Sequence, residues 1–159
     1  MTLIRERTTV MVKSGRVPGP RPLATIAAIA AGGALGAPAR YELGLAWHRS
    51  ADGFPWATFV TNVTGCFLLG ALLVLVLERW PPTRYVRPFA ATGFLGAYTT
   101  WSTFVVEISV LTKDGHAGTA ALYGAASLLG GLVATVGGMR FGRHGRFGPV
   151  AGELFDPDV

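Results

Sequence analysis

Residues 93–104 read GFLGAYTTWSTF, a run in which two glycines are followed by four serine or threonine residues. The run lies within Pro88–Val106, a window of 19 residues that contains no Asp, Glu, Lys or Arg. A helix needs about 20 apolar residues to cross the core of a bilayer. The run therefore places glycine and hydroxyl groups at a depth where an unsatisfied backbone group is costly.

Three further windows lack charged residues in the same way, namely Leu23–Ala39, Trp56–Leu77 and Ala117–Met139. Only 14% of the chain is charged, whereas soluble domains average roughly 25%. The sequence therefore predicts an all-α integral membrane protein with four transmembrane helices, and it excludes a soluble enzyme. A single cysteine also excludes a secreted module held together by disulfides.

The charge-free windows define one membrane domain, which we predict over residues 23–141. The polar segments 1–22 and 142–159 are expected to be cytoplasmic tails without fixed structure. A cleaved signal peptide is the rival interpretation of the N-terminal segment. The basic tail is long, however, and the apolar window that follows it exceeds the usual length of a signal peptide's apolar region.

The basic residues predict the orientation of the chain. The net charge is +5, but Lys and Arg flank the spans and form no stripe suited to nucleic acid. With Arg40 left out, eleven lie on the side of the two termini and two, Arg49 and Lys113, on the other. The positive-inside rule therefore places both termini in the cytoplasm.

The third span is predicted to be interrupted near Gly96–Thr99. Non-helical backbone is tolerated at this depth only where it is buried in protein or lines a cavity, and its free carbonyls are good ligands for cations. Trp101, Phe104 and Glu107 follow at intervals of three, which places them near one face of the helix.

Two polar side chains in the other spans leave alternatives open. The amide of Asn62 must find an acceptor within an apolar window, either on another helix or on a passing anion. Arg40 is a functional candidate or a side chain that extends to the membrane interface. The small residues at Gly32 and Gly36, and those from Gly124 to Gly138, favour close helix packing.

The chain shows no pattern typical of an enzyme. His48, His116 and His144 are scattered over loops and tail, and Glu42 and Glu107 belong to different spans. Neither a cluster of metal-binding side chains nor a phosphate-binding loop is apparent. The sequence therefore predicts a protein that is not an enzyme.

Three motifs together resemble a known family. Residues 32–41 read GGALGAPARY, residues 58–65 read TFVTNVTG, and residues 93–104 complete the set. They resemble the Fluc/CrcB fluoride ion channels over about residues 26–140. The resemblance implies an antiparallel dimer of four-helix subunits in a prokaryotic plasma membrane, with two fluoride pores and a central structural sodium ion. It also implies passive fluoride export, which relieves fluoride toxicity.

The resemblance implies roles for particular residues. The backbone carbonyls of Gly96 and Thr99 would hold the sodium ion, and Asn62 would donate a hydrogen bond to fluoride. Phe104 matches the second of the family's two pore phenylalanines, whose ring edges are electropositive. The pore would be extended by Tyr123, Ser127 and Thr103, and its vestibules would contain Arg40 and Glu107.

Trp101 departs from the family pattern, which usually has the first pore phenylalanine at this position. The indole ring keeps an electropositive edge and adds an N–H donor, but it is bulkier than a phenyl ring. Three outcomes are open: the tryptophan passes fluoride, narrows its pore or no longer lines it.

Two other classes of membrane protein fit the sequence less well. A small proton-coupled drug exporter also has four helices, but it needs a carboxylate in its first helix, and Leu23–Ala39 contains none. An assembly subunit that transports nothing would account for the glycines. It would not account for Asn62 or for the hydroxyl groups of residues 99–103.

The charge bias predicts that the partner in the dimer is a paralogue rather than a second copy. An antiparallel homodimer requires one sequence to insert in both orientations, and a strong bias in Lys and Arg fixes one orientation. A compartment-specific reporter fused to the C-terminus should therefore give a cytoplasmic signal only. Fluoride flux should appear only when a second four-helix protein is co-expressed. C-termini on both sides, with flux from this chain alone, would contradict the prediction.

Overall fold

The computed structural model describes residues 22–47, 53–79 and 85–144. It has four helical spans that are long and apolar enough to cross a membrane, and the described residues form no strand. The predicted all-helical fold with four spans is therefore confirmed. The elements are α1 (Pro22–Ala46), α2 (Trp56–Val74) with a π-helical extension (Leu75–Arg79), α3 (π-helical Arg87–Leu95 continued by Gly96–Tyr98), α4 (Trp101–Lys113) and α5 (Ala117–His144).

The predicted tails lie almost entirely outside the described residues. At the C-terminal end, α5 continues to His144, three residues beyond the predicted end of the membrane domain at 141. Its last turn contains Arg143 and His144, and basic side chains there interact favourably with the helix dipole. The Arg143 guanidinium also pairs with the Glu78 carboxylate at 3.2 Å, which links the end of α5 to the extension of α2.

Helix α1 packs against α3 through glycines that bring the two backbones into contact. A β-carbon at Gly36 would overlap the carbonyl of Phe94, and one at Gly93 would overlap the carbonyl of Ile29. Neither obstacle is a flexible side chain that could move aside. The predicted packing role of the first-span glycines is thereby confirmed.

Helix α5 packs along α2 in the same manner. A β-carbon at Gly138 would overlap the carbonyl of Phe67, and one at Gly70 would overlap the carbonyl of Thr135. A β-carbon at Gly131 would lie 3.3 Å from the sulfur of Cys66. Of the small residues predicted to form a packing seam on the fourth span, Gly131 and Gly138 therefore face α2, whereas a β-carbon at Gly124 would lie 3.5 Å from the Ile108 side chain on α4.

The third span changes conformation at its centre. Thr99 (φ −80°, ψ 158°) and Thr100 (φ −147°, ψ 123°) are extended, between the end of α3 at Tyr98 and the start of α4 at Trp101. Thr100 is the N-cap of α4, because its hydroxyl accepts the Thr103 N–H at 3.2 Å. Thr99 is the last residue of the predicted interruption, Gly96–Thr99, and Thr100 lies one residue beyond it, whereas Gly96–Tyr98 are helical.

The glycine contacts predict opposite effects for the same substitution at two positions of α1. Gly36→Ala should destabilise the protein by about 1–3 kcal/mol, since the added methyl meets backbone. Gly44→Ala should be neutral or stabilising by up to about 1 kcal/mol, since a β-carbon at Gly44 would have no atom within 4 Å. Thermal unfolding midpoints of the purified variants would measure both. Equal midpoints for the two variants would contradict the packing described for α1.

Candidate functional site

The break in the third span is held by the side chain of Asn62 from α2. Its Nδ2 donates to the Thr100 carbonyl at 2.9 Å, and its Oδ1 accepts the Thr100 N–H at 2.8 Å. The amide thus replaces both hydrogen bonds that a helix would give this residue. The sequence leaves open whether the Asn62 amide bonds another span or a passing anion, and the structure shows a bond to the backbone of the third span. The Asn62 amide has a second N–H, and its donation to fluoride stays a prediction.

The two residues before Thr100 are held by side chains from other helices. The Arg40 guanidinium on α1 donates to the Thr99 carbonyl at 3.3 Å. The hydroxyls of Thr64 and Tyr98 are 2.9 Å apart. Three consecutive residues at the break are therefore each hydrogen-bonded by a polar side chain from α1 or α2.

The break leaves carbonyl groups of α3 without helical donors. In a continuous helix the Thr100 N–H would reach the Gly96 carbonyl, but here it is donated to Asn62. Gly96 is exposed, and it lines a groove together with Thr99. No cluster of three His, Cys, Asp or Glu side chains occurs within the described ranges. A cation at this position would be held by backbone oxygens.

The groove beside the break has a volume of about 500 Å³. Six of the residues predicted for the pore or the sodium site line it: Asn62, Gly96, Thr99, Trp101, Phe104 and Ser127. The Trp101 ring lies 5.1 Å from that of Phe104, centroid to centroid, at an interplanar angle of 42°. Trp101 is 68% exposed, whereas Phe104 is 5% exposed. The Ser127 hydroxyl is buried and has no hydrogen-bond partner among the described residues.

A second cavity of about 350 Å³ lies on the other side of Thr100 and contains both predicted vestibule residues, Arg40 and Glu107. Thr103 lines it as well. The Glu107 carboxylate accepts hydrogen bonds from the Thr58 hydroxyl at 3.0 Å and from the Tyr123 hydroxyl at 2.8 Å.

Tyr123 and Ser127 do not form one continuous line of hydroxyl groups. The Tyr123 hydroxyl donates to Glu107, which lines the second cavity, whereas Ser127 lines the groove. The Tyr123 ring is fully buried and lies 5.2 Å from that of Phe104. The buried Tyr123 ring therefore packs against Phe104, which lines the groove.

Sequence reasoning missed two residues of the second cavity. Thr58 lies four residues before Asn62 and thus one helical turn away on the same face, a spacing that could have identified it. Phe54 precedes α2, and its ring meets that of Tyr123 edge to face at 5.3 Å. No local pattern indicates the role of Phe54, because the contact joins two residues that are far apart in the chain.

The start of α4 makes the centre of the third span electropositive on one side. The first N–H groups of a helix have no partner within it, and they carry a partial positive charge. Thr100 caps only the Thr103 N–H among these groups. The α4 N-terminus therefore favours an anion, while the carbonyl end of α3 favours a cation.

Comparison with known proteins gives consistent results. The profile of a family described as CrcB-like protein, Camphor Resistance (CrcB), matches residues 27–139. Fluoride-specific ion channel FluC 3 of Streptomyces avermitilis is 54% identical over 118 residues, which are 74% of this chain and 58% of that protein. FluC 2 of the same organism is 47% identical over 65% of each chain.

Fluoride-specific ion channel FluC 2 of Nocardia farcinica is 45% identical over 126 residues, which are 79% of this chain and 89% of that protein. The chain spans less than two thirds of the length of the two Streptomyces relatives. The profile nevertheless covers most of the chain, including both cavities and the break. The chain therefore belongs to the CrcB-like family.

Proposed function

We propose that the chain is a subunit of a fluoride channel that lets fluoride leave the cytoplasm passively. The observation that carries the proposal is the break at Thr99–Thr100, held open by the two hydrogen bonds of Asn62. It gives the centre of an apolar span an electropositive helix start and a free amide N–H. The names of the relatives, which are fluoride-specific ion channels, support the same ion.

The anion would be attracted by several weak donors rather than by one strong one. The start of α4 and the second N–H of Asn62 favour negative charge. The electropositive ring edges of Phe104 and Trp101 add to this attraction for an anion. Conduction needs binding that is strong enough to admit the ion and weak enough to release it. The Arg40 guanidinium would attract the anion into the second cavity, where Thr103 offers a hydroxyl group.

The residues at the end of α3 fit a monovalent cation such as sodium. The Gly96 carbonyl has lost its helical donor, and the Thr99 carbonyl keeps a lone pair beside the 3.3 Å bond from Arg40. Unwound backbone carbonyls are used in this way in other transport proteins. A bound sodium ion would supply a fixed positive charge that neutralises the carbonyl end of α3.

A second subunit would complete the site. One chain offers two carbonyls to the cation and leaves the groove open, with Trp101 exposed and Ser127 without a partner among the residues described. An antiparallel subunit that covers the groove would bury Trp101. We propose a paralogue as this subunit and a cytoplasmic location for both termini, because the Lys and Arg bias favours one orientation.

Flux from liposomes tests the proposed function. Vesicles that contain this chain with its partner should release fluoride in the presence of a potassium ionophore, and they should release chloride far more slowly. Equal rates for the two anions, or no flux of either, would contradict the proposal.

Asn62→Asp should abolish most of the fluoride flux. The new carboxylate repels both fluoride and the Thr100 carbonyl. It also removes the proposed hydrogen bond to fluoride, and a bond to a charged group contributes about 1.5–3 kcal/mol, or roughly 10- to 100-fold in rate. Thr64→Val is the matched control on α2, since it removes a hydroxyl that bonds Tyr98 and leaves Thr100 untouched. Liposome flux and size-exclusion profiles would be measured for both. Wild-type flux in Asn62→Asp would remove Asn62 from the pore.

A further inference from the structure

The Thr99 carbonyl accepts a hydrogen bond from Arg40, and this bond links the two cavities. Arg40 lies 59 residues away in sequence and on another helix, yet its Nη1 donates to this oxygen at 3.3 Å. Arg40 lines the second cavity, and Thr99 lines the groove. One oxygen is thus within reach of a fixed positive charge on one side and of a bound cation on the other.

The position of Arg40 is fixed by packing. Gly36 lies one helical turn before it and contacts the carbonyl of Phe94. Because this contact joins two backbones, α1 cannot move away from α3 without losing it. Arg40 is also half-buried, and it lines the second cavity. The helix packing therefore places the Arg40 backbone where the guanidinium can reach the Thr99 carbonyl.

Elementary electrostatics makes the two positive charges compete. A carbonyl oxygen has two lone pairs, so Arg40 and a cation can share it, but like charges this close repel in a partly screened environment. Whatever strengthens one interaction must weaken the other, and the effect is reciprocal. Glu107 lines the same cavity as Arg40, and its oxygens accept hydrogen bonds from Thr58 and Tyr123.

We propose that Arg40 is a positioning residue that couples the cation site to the anion cavity. A cation bound at Gly96 and Thr99 weakens the hydrogen bond between the Thr99 carbonyl and the Arg40 guanidinium. The positive charge of the guanidinium is then more available to an anion in the second cavity. Conversely, Arg40 keeps the cation affinity of the site low. The inference rests on the cation site of the proposed function.

A sodium titration of the purified full-length protein, with its partner if one is required, tests this coupling. Sodium would replace N-methylglucamine at constant ionic strength, and the thermal unfolding midpoint would give the sodium concentration for half-maximal stabilisation. Arg40→Gln keeps an N–H donor and removes the charge, and Arg40→Lys keeps the charge. We expect Arg40→Gln to lower the half-maximal concentration about tenfold, the scale of one nearby unit charge. Arg40→Lys should stay close to wild type.

A second measurement needs no substitution. Fluoride in the cavity offsets the charge of Arg40, so the half-maximal sodium concentration of the wild-type protein should fall when fluoride replaces chloride. The proposal is overturned if Arg40→Gln and the wild type have the same half-maximal concentration. Should Arg40→Gln fail to fold, the absence of any fluoride effect on the wild type overturns it.

Fluoride flux, measured on the same samples, separates this inference from the proposed function. If the wild-type protein conducts fluoride and responds to sodium, but Arg40→Gln has the same half-maximal sodium concentration, the channel function stands and the coupling is contradicted. If the protein conducts fluoride but its unfolding midpoint does not respond to sodium, both the coupling and the cation site are contradicted. Absence of flux contradicts the channel itself.

Discussion

The two hydrogen bonds between Asn62 and Thr100 are the interaction on which the rest of the site depends. An extended residue in the middle of an apolar span leaves an N–H and a C=O that neither helix can satisfy, and such groups cost several kcal/mol when they are buried without partners. One amide side chain satisfies both groups. Without it a continuous helix would be favoured, and both the released carbonyls of α3 and the start of α4 would be lost.

The glycines determine which side chains can reach the break. Gly36 and Gly93 allow α1 and α3 to touch through their backbones, which brings Arg40 within hydrogen-bonding distance of Thr99. Gly65 on α2 has no room for a β-carbon because the methyl group of Thr99 occupies that space. These small residues therefore do more than stabilise the helix bundle. They set the distances from which polar side chains act on the backbone.

Much of the fold followed from the sequence, because several charge-free windows of membrane length in one short chain are typical of membrane-spanning helices. The third-span break had a local cause as well, since its glycines and hydroxyl residues are adjacent in the chain. The partners of individual side chains were harder to predict. Tyr123 and Ser127 share a helix face, yet the Tyr123 hydroxyl bonds Glu107 of the second cavity, whereas Ser127 lines the groove. Such pairings depend on helix rotation and on contacts between residues that are far apart in the chain, such as Phe54 and Tyr123, which periodicity alone does not specify.

A single interruption gives the span two opposite electrostatic ends. The carbonyls at the end of α3 favour positive charge, and the N–H groups at the start of α4 favour negative charge, with only Thr99 and Thr100 between them. A continuous helix would hold these groups in internal hydrogen bonds and offer neither. An anion pathway and a cation site can therefore arise from one feature of the backbone. Because they would share it, our proposal is that a change at either one is felt at the other through Arg40, whose guanidinium bonds the Thr99 carbonyl.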